Sequence, residues 1–459
     1  MSAANHLIPA TAESPGIPAG RFGAAFGPRF FLLLLLGLVW IGPAWADHRF
    51  IGAMFAWDLL ALAIWAFDLI RLPKPTEITL RRVWNSPLAL ATPASLKLEL
   101  ENRGRRAVIA MIVDDAPGVI RADLPELSLT VAAGATATAS YRIEPGERGD
   151  AKFGRAGIRY QSTLGVAERW AAADIQQTVR VYPNLEEARR QKIFLIRSRQ
   201  IELEKRLKRQ RGQGREFECL RDYRAGDEWR DVCWTATARR GLLVTKVFQT
   251  ERSQTVWLLV DAGRLLRARV AQFSKLDYAV NAALSLVQVA FYSGDRVGLL
   301  AYGRRPQQRL GAGRGALHLR SIIESLAQVH GEPYEADHMR AADAFLGSQQ
   351  RRSLVVWITD LAETASTPEV IEAAALLARR HLVLLVVIAQ PELRQAAAEK
   401  PKNLDAMYRY AAALEVVHRR DLFLRRVRQL GVLTLEAEAG RLSTSLINRY
   451  LEVKERNLL

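Results

Sequence analysis

Hydrophobic and polar positions change texture three times along the chain, and each texture predicts a different kind of element. Phe30–Ala46, FFLLLLLGLVWIGPAWA, runs 17 residues without a charge, and Phe50–Ile70 runs 21 with only Asp58 and Asp68 interrupting it. As helices these are about 26 and 31 Å long, close to the thickness of a bilayer core. Joined by Asp47, His48 and Arg49 alone, they predict a two-helix membrane hairpin over 30–72, with helices near 30–46 and 50–70. From Thr76 to Pro183 the pattern becomes short alternating runs broken by Gly, Pro and Asn, such as ASLKLELENRG at 94–104 and AGIRYQSTLG at 156–165. That spacing predicts an all-β, sandwich-like domain over 76–183.

The third texture begins near residue 253. Nearly uninterrupted apolar strands at 255–260, 296–301, 353–359 and 382–389 alternate with helical periods at about 274–292, 315–328, 337–347, 368–380 and 403–430. Strands without polar alternation, separated by helices, predict a doubly wound, mostly parallel α/β sheet covered on both faces over 253–459. The fold class is therefore multidomain: membrane hairpin, β-sandwich-like domain, α/β domain. Residues 1–29, rich in Gly, Ala and Pro, are expected to be disordered.

Charge orients the hairpin. Arg21 and Arg29 precede it, Arg71, Lys74, Arg81 and Arg82 follow it, and the turn has only one arginine. The excess of cations at both outer ends puts both in the cytoplasm, which predicts a multi-pass protein of the cytoplasmic (inner) membrane with its soluble domains inside. A rival reading takes AWA at 44–46 as a signal-peptidase site; a second span following at once argues against it. A carboxylate deep in a span is costly, so Asp58 stands out, whereas Asp68 can lie at the interface beside Arg71.

The chain has 459 residues, 49% of them apolar, with 65 Lys+Arg against 48 Asp+Glu, a net +17. That surplus points to anionic partners. With no zinc-finger spacing or RNA-binding aromatic motif, nucleic acid is excluded in favour of lipid bilayer or protein. Two cysteines, Cys219 and Cys233, exclude a disulfide framework and fit reduced thiols. Residues 185–213 hold ten Lys/Arg and four Glu within 185–211. They read as a basic linker helix, either solvated or lying on anionic lipid or an acidic partner.

Between linker and α/β domain, residues 214–252 combine both charges with spaced aromatics, Phe217, Tyr223, Trp229 and Trp234. The pattern of Phe217, Leu220, Arg221, Tyr223, Gly226-Asp227, Arg230, Trp234, Ala238-Arg239 and Glu251-Arg252 resembles the bacterial family called domain of unknown function 58 (DUF58). The hairpin, the β-rich segment with PGERGDAKFG at 145–154, and a C-terminal von Willebrand A-like domain are similar too, so the likeness spans nearly everything beyond residue 30. The resemblance implies partnership with a MoxR-type AAA+ ATPase acting as a chaperone for other complexes. Physically, 214–252 is either a cap whose charges pair internally or a recognition surface, since Trp, Tyr and Arg anchor interfaces. The docking candidates are Arg221, Tyr223, Asp227, Arg230, Trp234 and Arg239.

Candidate chemistry lies at the strand ends. Metal-binding A-type domains end their first strand on Asp and place Ser two and four residues later; here Asp261 is followed by Gly263 and Leu265. Asp360 ends another apolar strand, and Asp337 falls where a threonine ligand is expected. Three carboxylates in one crevice repel unless neutralised, either by Mg²⁺ or by a cation such as Arg264. Two missing hydroxyl ligands leave Mg²⁺ at most weakly held, so no cofactor is expected and Asp261 is assigned to turn positioning or partner contact. No G-x-S-x-G elbow, phosphate-cradling loop or histidine motif suggests catalysis. The expected function is a non-enzymatic, membrane-anchored adaptor or scaffold; the alternative is a Mg²⁺-dependent protein-ligand receptor of the A-domain type.

Overall fold

The computed structural model describes residues 17–18, 20–120, 126–184, 216–224, 227, 229–249, 254–361, 367–456 and 458. The chain divides into two compact units, Met1–Asn184 and Leu185–Leu459. The basic linker expected over 185–213 lies outside the described residues.

In the first unit, helix α1 (Pro28–Gly37), a 3-10 turn (Leu38–Trp40) and α2 (Ile41–Ala46) form one apolar arm, and α3 (Arg49–Arg71) the other. Both are long and apolar enough to cross a membrane, with mean hydropathies of 1.6 and 1.9. Their outer faces carry exposed Leu32, Leu35, Leu36, Val39, Phe55, Leu59 and Ile70. The Trp57 indole N–H donates to the Leu33 carbonyl at 2.8 Å and ties the arms together. Gly37 is where they approach most tightly, since a Cβ there would lie 2.7 Å from Trp57.

Three sheets make up the rest of the unit. The strands are β1 (Ile17–Pro18), β2 (Gly20–Phe26), β3 (Ile78–Trp84), β4 (Leu88–Ala89), β5 (Ala94–Asn102), β6 (Val108–Asp114), β7 (Glu126–Val131), β8 (Thr136–Ile143), β9 (Gly149–Phe153), β10 (Ala156–Ser162), β11 (Ala167–Ala173) and β12 (Gln177–Tyr182). Their orders are β1-β3-β5-β8, β2-β11-β10-β6-β7 and β4-β12-β9. Alternating positions such as Leu96, Leu98 and Leu100 on β5 and Val108, Ala110 and Ile112 on β6 fill one core, as a pleated strand with one buried face requires. Arg82, wholly buried, crosses that core. It pairs with Asp114, which also accepts from the Tyr141 hydroxyl at 2.6 Å, and it donates to the Gly154 carbonyl at 2.9 Å.

Two expectations are corrected here. Ile17–Pro18 and Gly20–Phe26 are strands, not disordered chain: β2 pairs with β11 from Phe26↔Ala167 to Gly20↔Ala172. What orders this Gly/Ala-rich stretch is backbone pairing with a ready edge, which hydropathy does not signal. Asp68, set aside as interfacial, is 2% exposed and accepts from Ser162 Oγ (2.9 Å), Ala167 N (3.0 Å) and Val166 N (3.3 Å). With Gly27 N bonded to the Val166 carbonyl at 2.7 Å, Trp65 Nε1 to Ala25 at 3.1 Å and Tyr160 to Pro73 at 2.8 Å, it fixes both outer ends of the hairpin to one sheet. The chain thus leaves this sheet after β2, traverses both arms, and comes back beside its β10–β11 end before β3 enters the other sheet.

The second unit opens with a small hairpin, β13 (Glu216–Asp222) against β14 (Val244–Gln249), bridged by α4 (Trp234–Arg240). Its main body is a six-stranded sheet of β15 (Thr255–Asp261), β18 (Arg296–Tyr302), β19 (Pro306–Gly313), β20 (Leu354–Thr359), β21 (Leu382–Ala389) and β22 (Leu433–Glu438), with β16 (Arg269–Val270) and β17 (Phe273–Ser274) forming a separate two-residue ladder. The order is β19-β18-β15-β20-β21-β22, antiparallel only at the β18–β19 edge. Helices α5 (Lys275–Tyr292), α6 (Ala316–Gln328), α7 (His338–Ser348), α8 (Thr367–Ala378), α9 (Pro391–Ala398), α10 (Leu404–Gln429) and α11 (Leu442–Glu455) complete it. Within one residue the parallel strands and the five expected helices start where the periodicity predicts; β19, α9, β22 and α11 go beyond that reading. Central strands β15, β20 and β21 are buried on both faces. The direction of winding reverses between β15 and β20, and there a doubly wound sheet opens its crevice.

Candidate functional site

Asp261 and Asp360 flank that reversal, Asp261 as the last residue of β15 and Asp360 just beyond β20. Both are buried, at 3% and 4% exposure. Asp261 accepts from the Gly263 amide at 2.7 Å and from Thr359 Oγ1 at 2.6 Å, so one oxygen shapes the turn while the other locks β15 to β20. Burial pushes its carboxyl above the usual range, against the opposing pull of His338, Thr359 and the Gly263 amide. Asp360 accepts from Leu361 N at 2.8 Å and from the Lys275 ammonium at 2.5 Å. That pair is closed to solvent, with side chains 5% and 2% exposed.

Lys275 is therefore the cation of the crevice, and Arg264 is not: its guanidinium lies at the surface, 3.1 Å from Glu335. Lys275 is the first residue of α5, behind a capping box in which Ser274 and Asp277 bond each other's amides. A helix N-terminus disfavours a cation, and a lysine in S-K-L-D, against the dipole, is the one sequence signal that marked it. Asp337, the third carboxylate, caps α7: it accepts from Arg340 N at 2.8 Å and stands 3.5 Å from the Arg340 guanidinium. Among the described residues no cluster of three or more His, Cys, Asp or Glu could hold a metal ion.

The residues that a divalent ion would need do not fit one. A Cβ on Gly263 would lie 2.7 Å from Ala336 N and 3.0 Å from Ala336 Cβ, so a serine cannot be placed there without moving the neighbouring loop. That loop is pinned by Glu332 N to the Ala262 carbonyl and Arg264 N to the Tyr334 carbonyl, both at 2.7 Å. Behind it runs a buried relay missed by the sequence: Trp357 Nε1 donates to the Tyr302 hydroxyl at 2.6 Å, and that hydroxyl stands 3.0 Å from His338 Nδ1. The Tyr302 hydroxyl, an acceptor toward Trp357, ties the indole to the His338 ring. Burial, then the Asp261 charge, push the Tyr302 phenol well up.

The docking candidates separate into two groups. Arg221 pairs with Asp227 at 2.6 Å, Asp227 also accepts from Arg224 N at 2.9 Å, and the Tyr223 hydroxyl reaches the Asp227 carbonyl at 3.4 Å. The Arg221 hydrogen bond holds the Asp227 carboxyl below its usual range. These three residues hold the hairpin's own loop. Arg230, Trp234 and Arg239 are exposed, and with Trp229 and Leu242 they leave an aromatic and cationic surface, the two indoles 63% and 62% exposed.

Residues 219–398 match the family described as protein of unknown function DUF58. An uncharacterized protein of Mycobacterium tuberculosis is 28% identical over 182 residues, 39% of this chain and 56% of that protein; the chain thus spans little more than half the length of that relative. Uncharacterized protein YeaD of Bacillus subtilis is 24% identical over 201 residues, 42% of this chain and 46% of that one. Among solved structures, a conserved hypothetical protein BatB from Bacteroides thetaiotaomicron aligns over 44% of this chain and all of its own, at 13% identity and a TM-score of 0.29. An aerotolerance-related membrane protein from Bacteroides fragilis does so over the same shares, at 12% and 0.31. Scores this low establish no common fold.

Proposed function

We propose, for a chain carrying a DUF58 domain over residues 219–398, a non-enzymatic adaptor. Two crossings anchor it in the bacterial cytoplasmic membrane, with both folded units inside, and it docks a MoxR-type AAA+ ATPase. The observation that carries this reading is the closure of the strand-end carboxylates on donors of the same chain: Asp261 on Gly263 and Thr359, Asp360 on Lys275 and Leu361. Each of these carboxylate oxygens already holds a donor of the same chain in a buried setting, and the von Willebrand A-like domain we assign to residues 253–459 works as a rigid platform. The crevice acts without Mg²⁺, because Lys275 supplies the positive charge a divalent ion would bring.

Membrane insertion is supported by the outward apolar side chains of both arms, which a soluble protein does not leave exposed. Both outer ends of the hairpin are hydrogen-bonded to the β10–β11 end of one sheet, Gly27 to Val166 and Asp68 to Ala167, which supports placing them on one side of the bilayer. Cleavage after Ala46 would strip β2 from β11, which argues against a removable leader.

The docking surface is the exposed group on the 216–249 hairpin, Trp229, Arg230, Trp234 and Arg239, residue types that concentrate binding energy. The test uses the full chain in detergent and a purified MoxR-type ATPase. Changing Arg230 and Trp234 together to Ala is expected to weaken capture at least tenfold with unchanged circular dichroism, while Arg221→Ala loosens the hairpin itself. Undiminished capture by the double variant overturns the assignment. Calorimetry on metal-stripped protein addresses the crevice: a micromolar Mg²⁺ isotherm that vanishes in Asp261→Ala restores the metal-dependent receptor.

A further inference from the structure

Helix α10 is longer than the sheet it crosses. Its C-terminal half buries Phe423, Leu424 and Val427 in the core. Arg420 marks the level of the sheet edge: its guanidinium donates to the carbonyl of Ile388, next to last in β21, at 2.7 Å, and stands 3.2 Å from Glu436 on β22. A crossover helix between parallel strands runs against them, so residues 404–419 continue past the carboxyl ends of the strands. Sixteen residues make about 24 Å of helix, supported by α9 and started by Asn403, which accepts from Ala406 N at 2.8 Å. Within that stretch only Ala413 is buried.

The solvent side of this arm carries apolar side chains among its charges. Leu404 (69% exposed), Met407 (54%), Tyr408 (68%) and Leu414 (42%) lie with Ala411 at spacings of three and four, one narrow seam on the face opposite Ala413, continued by His418 and Leu422. Seams with that period receive a single partner helix between them. A helix apolar on two faces normally buries both.

Charge decides what covers it. Arg419, Arg425 and Arg426 are exposed beside the lower seam, and the chain carries a net +17. A second copy packed antiparallel about Leu414 would set Arg419 against Arg409 and Arg426 against Lys402. A helix lying on a bilayer keeps its charges on the face away from the acyl chains, whereas Glu415, paired with Arg419 at 2.6 Å, sits within this seam. We propose that the arm formed by α9 and residues 404–422 of α10 is a second docking site, which takes an amphipathic helix of a partner protein bearing acidic residues beside its apolar stripe. This does not rest on the ATPase reading, whose surface lies on the 216–249 hairpin.

The experiment uses the full chain in phosphatidylcholine nanodiscs and a fluorescein-labelled 21-residue peptide with leucines at heptad positions a and d and glutamates at e and g. Anisotropy is expected to report micromolar binding, at least tenfold weaker for Met407→Glu/Leu414→Glu and for a matched peptide with lysines at e and g. Both substituted positions are exposed, so circular dichroism stays unchanged and loss of binding is not loss of fold. Equal binding to wild type and variant, or equal binding of the lysine peptide, overturns the proposal. So does a wild-type dimer by light scattering that the substitutions dissolve, which makes the seam a self-association face. A blue shift of an environment-sensitive dye at Tyr408→Cys, in chain with Cys219 and Cys233 changed to Ala, on moving to phosphatidylglycerol discs assigns it to lipid and likewise overturns the proposal.

Discussion

Replacing Lys275 with methionine deletes the buried ammonium and keeps most of the side-chain volume. Among the described residues, Asp360, 4% exposed, would retain only the Leu361 amide as a donor to its side chain. Breaking a buried ion pair on one side costs about 3–5 kcal/mol, because the remaining charge is left without compensation. Each 1.4 kcal/mol is tenfold in an equilibrium constant, so opening of the strand ends around 255–261 and 354–359 becomes roughly 150- to 4,000-fold more frequent. Hydrogen exchange with mass spectrometry on the full chain reads those amides without requiring the two units to unfold together. Adding Asp360→Asn, which neutralises the orphaned charge and keeps an acceptor for Leu361 N, is expected to recover most of the protection. Exchange in Lys275→Met within threefold of wild type, or a double variant no better protected than the single, would refute the account of Lys275 as the crevice's counter-cation.

Three further outcomes follow from the same geometry. Gly263→Ser drives a Cβ to within 2.7 Å of Ala336 N and is expected to cost about 1–3 kcal/mol by overpacking, seen as a lower melting temperature, without creating Mg²⁺ affinity by calorimetry. Asp68→Ala strands the Ser162 hydroxyl and the Val166 and Ala167 amides, at about 1–3 kcal/mol per unsatisfied group, so protease should release the hairpin from the β domain in detergent while wild type resists. His381 is 4% exposed, and burial, its largest influence, pushes its pKa below 6.5; the unfolded chain then takes the proton first, so stability is lost as pH falls through 6.5. A melting temperature that is flat between pH 7 and 5, or a fall left unaltered in His381→Leu, contradicts that assignment.

The parts legible in the sequence were those whose physical cause is local. Seventeen uncharged residues declare an apolar helix wherever they fold, and a strand covered on both faces must be apolar throughout, so β15, β18, β20 and β21 are marked by their residue pattern alone. Asp261 and Asp360 were legible for the same reason, as the first polar residues after such runs. The role of Gly263 was not, because it depends on Ala336, 73 residues later, coming close enough to exclude a side chain. Lys275 carries one local signal, a cation at a helix start, but only the packing of α5 against the strand ends takes it out of water and sets it on Asp360. Strand β2 exists because β11 offers it an edge, and Asp68 is an anchor because the Ser162–Ala167 turn supplies its donors. Patterning fixes which faces of each element must be buried, whereas the partners of buried polar groups are chosen by contacts between distant segments, and those only the tertiary structure decides.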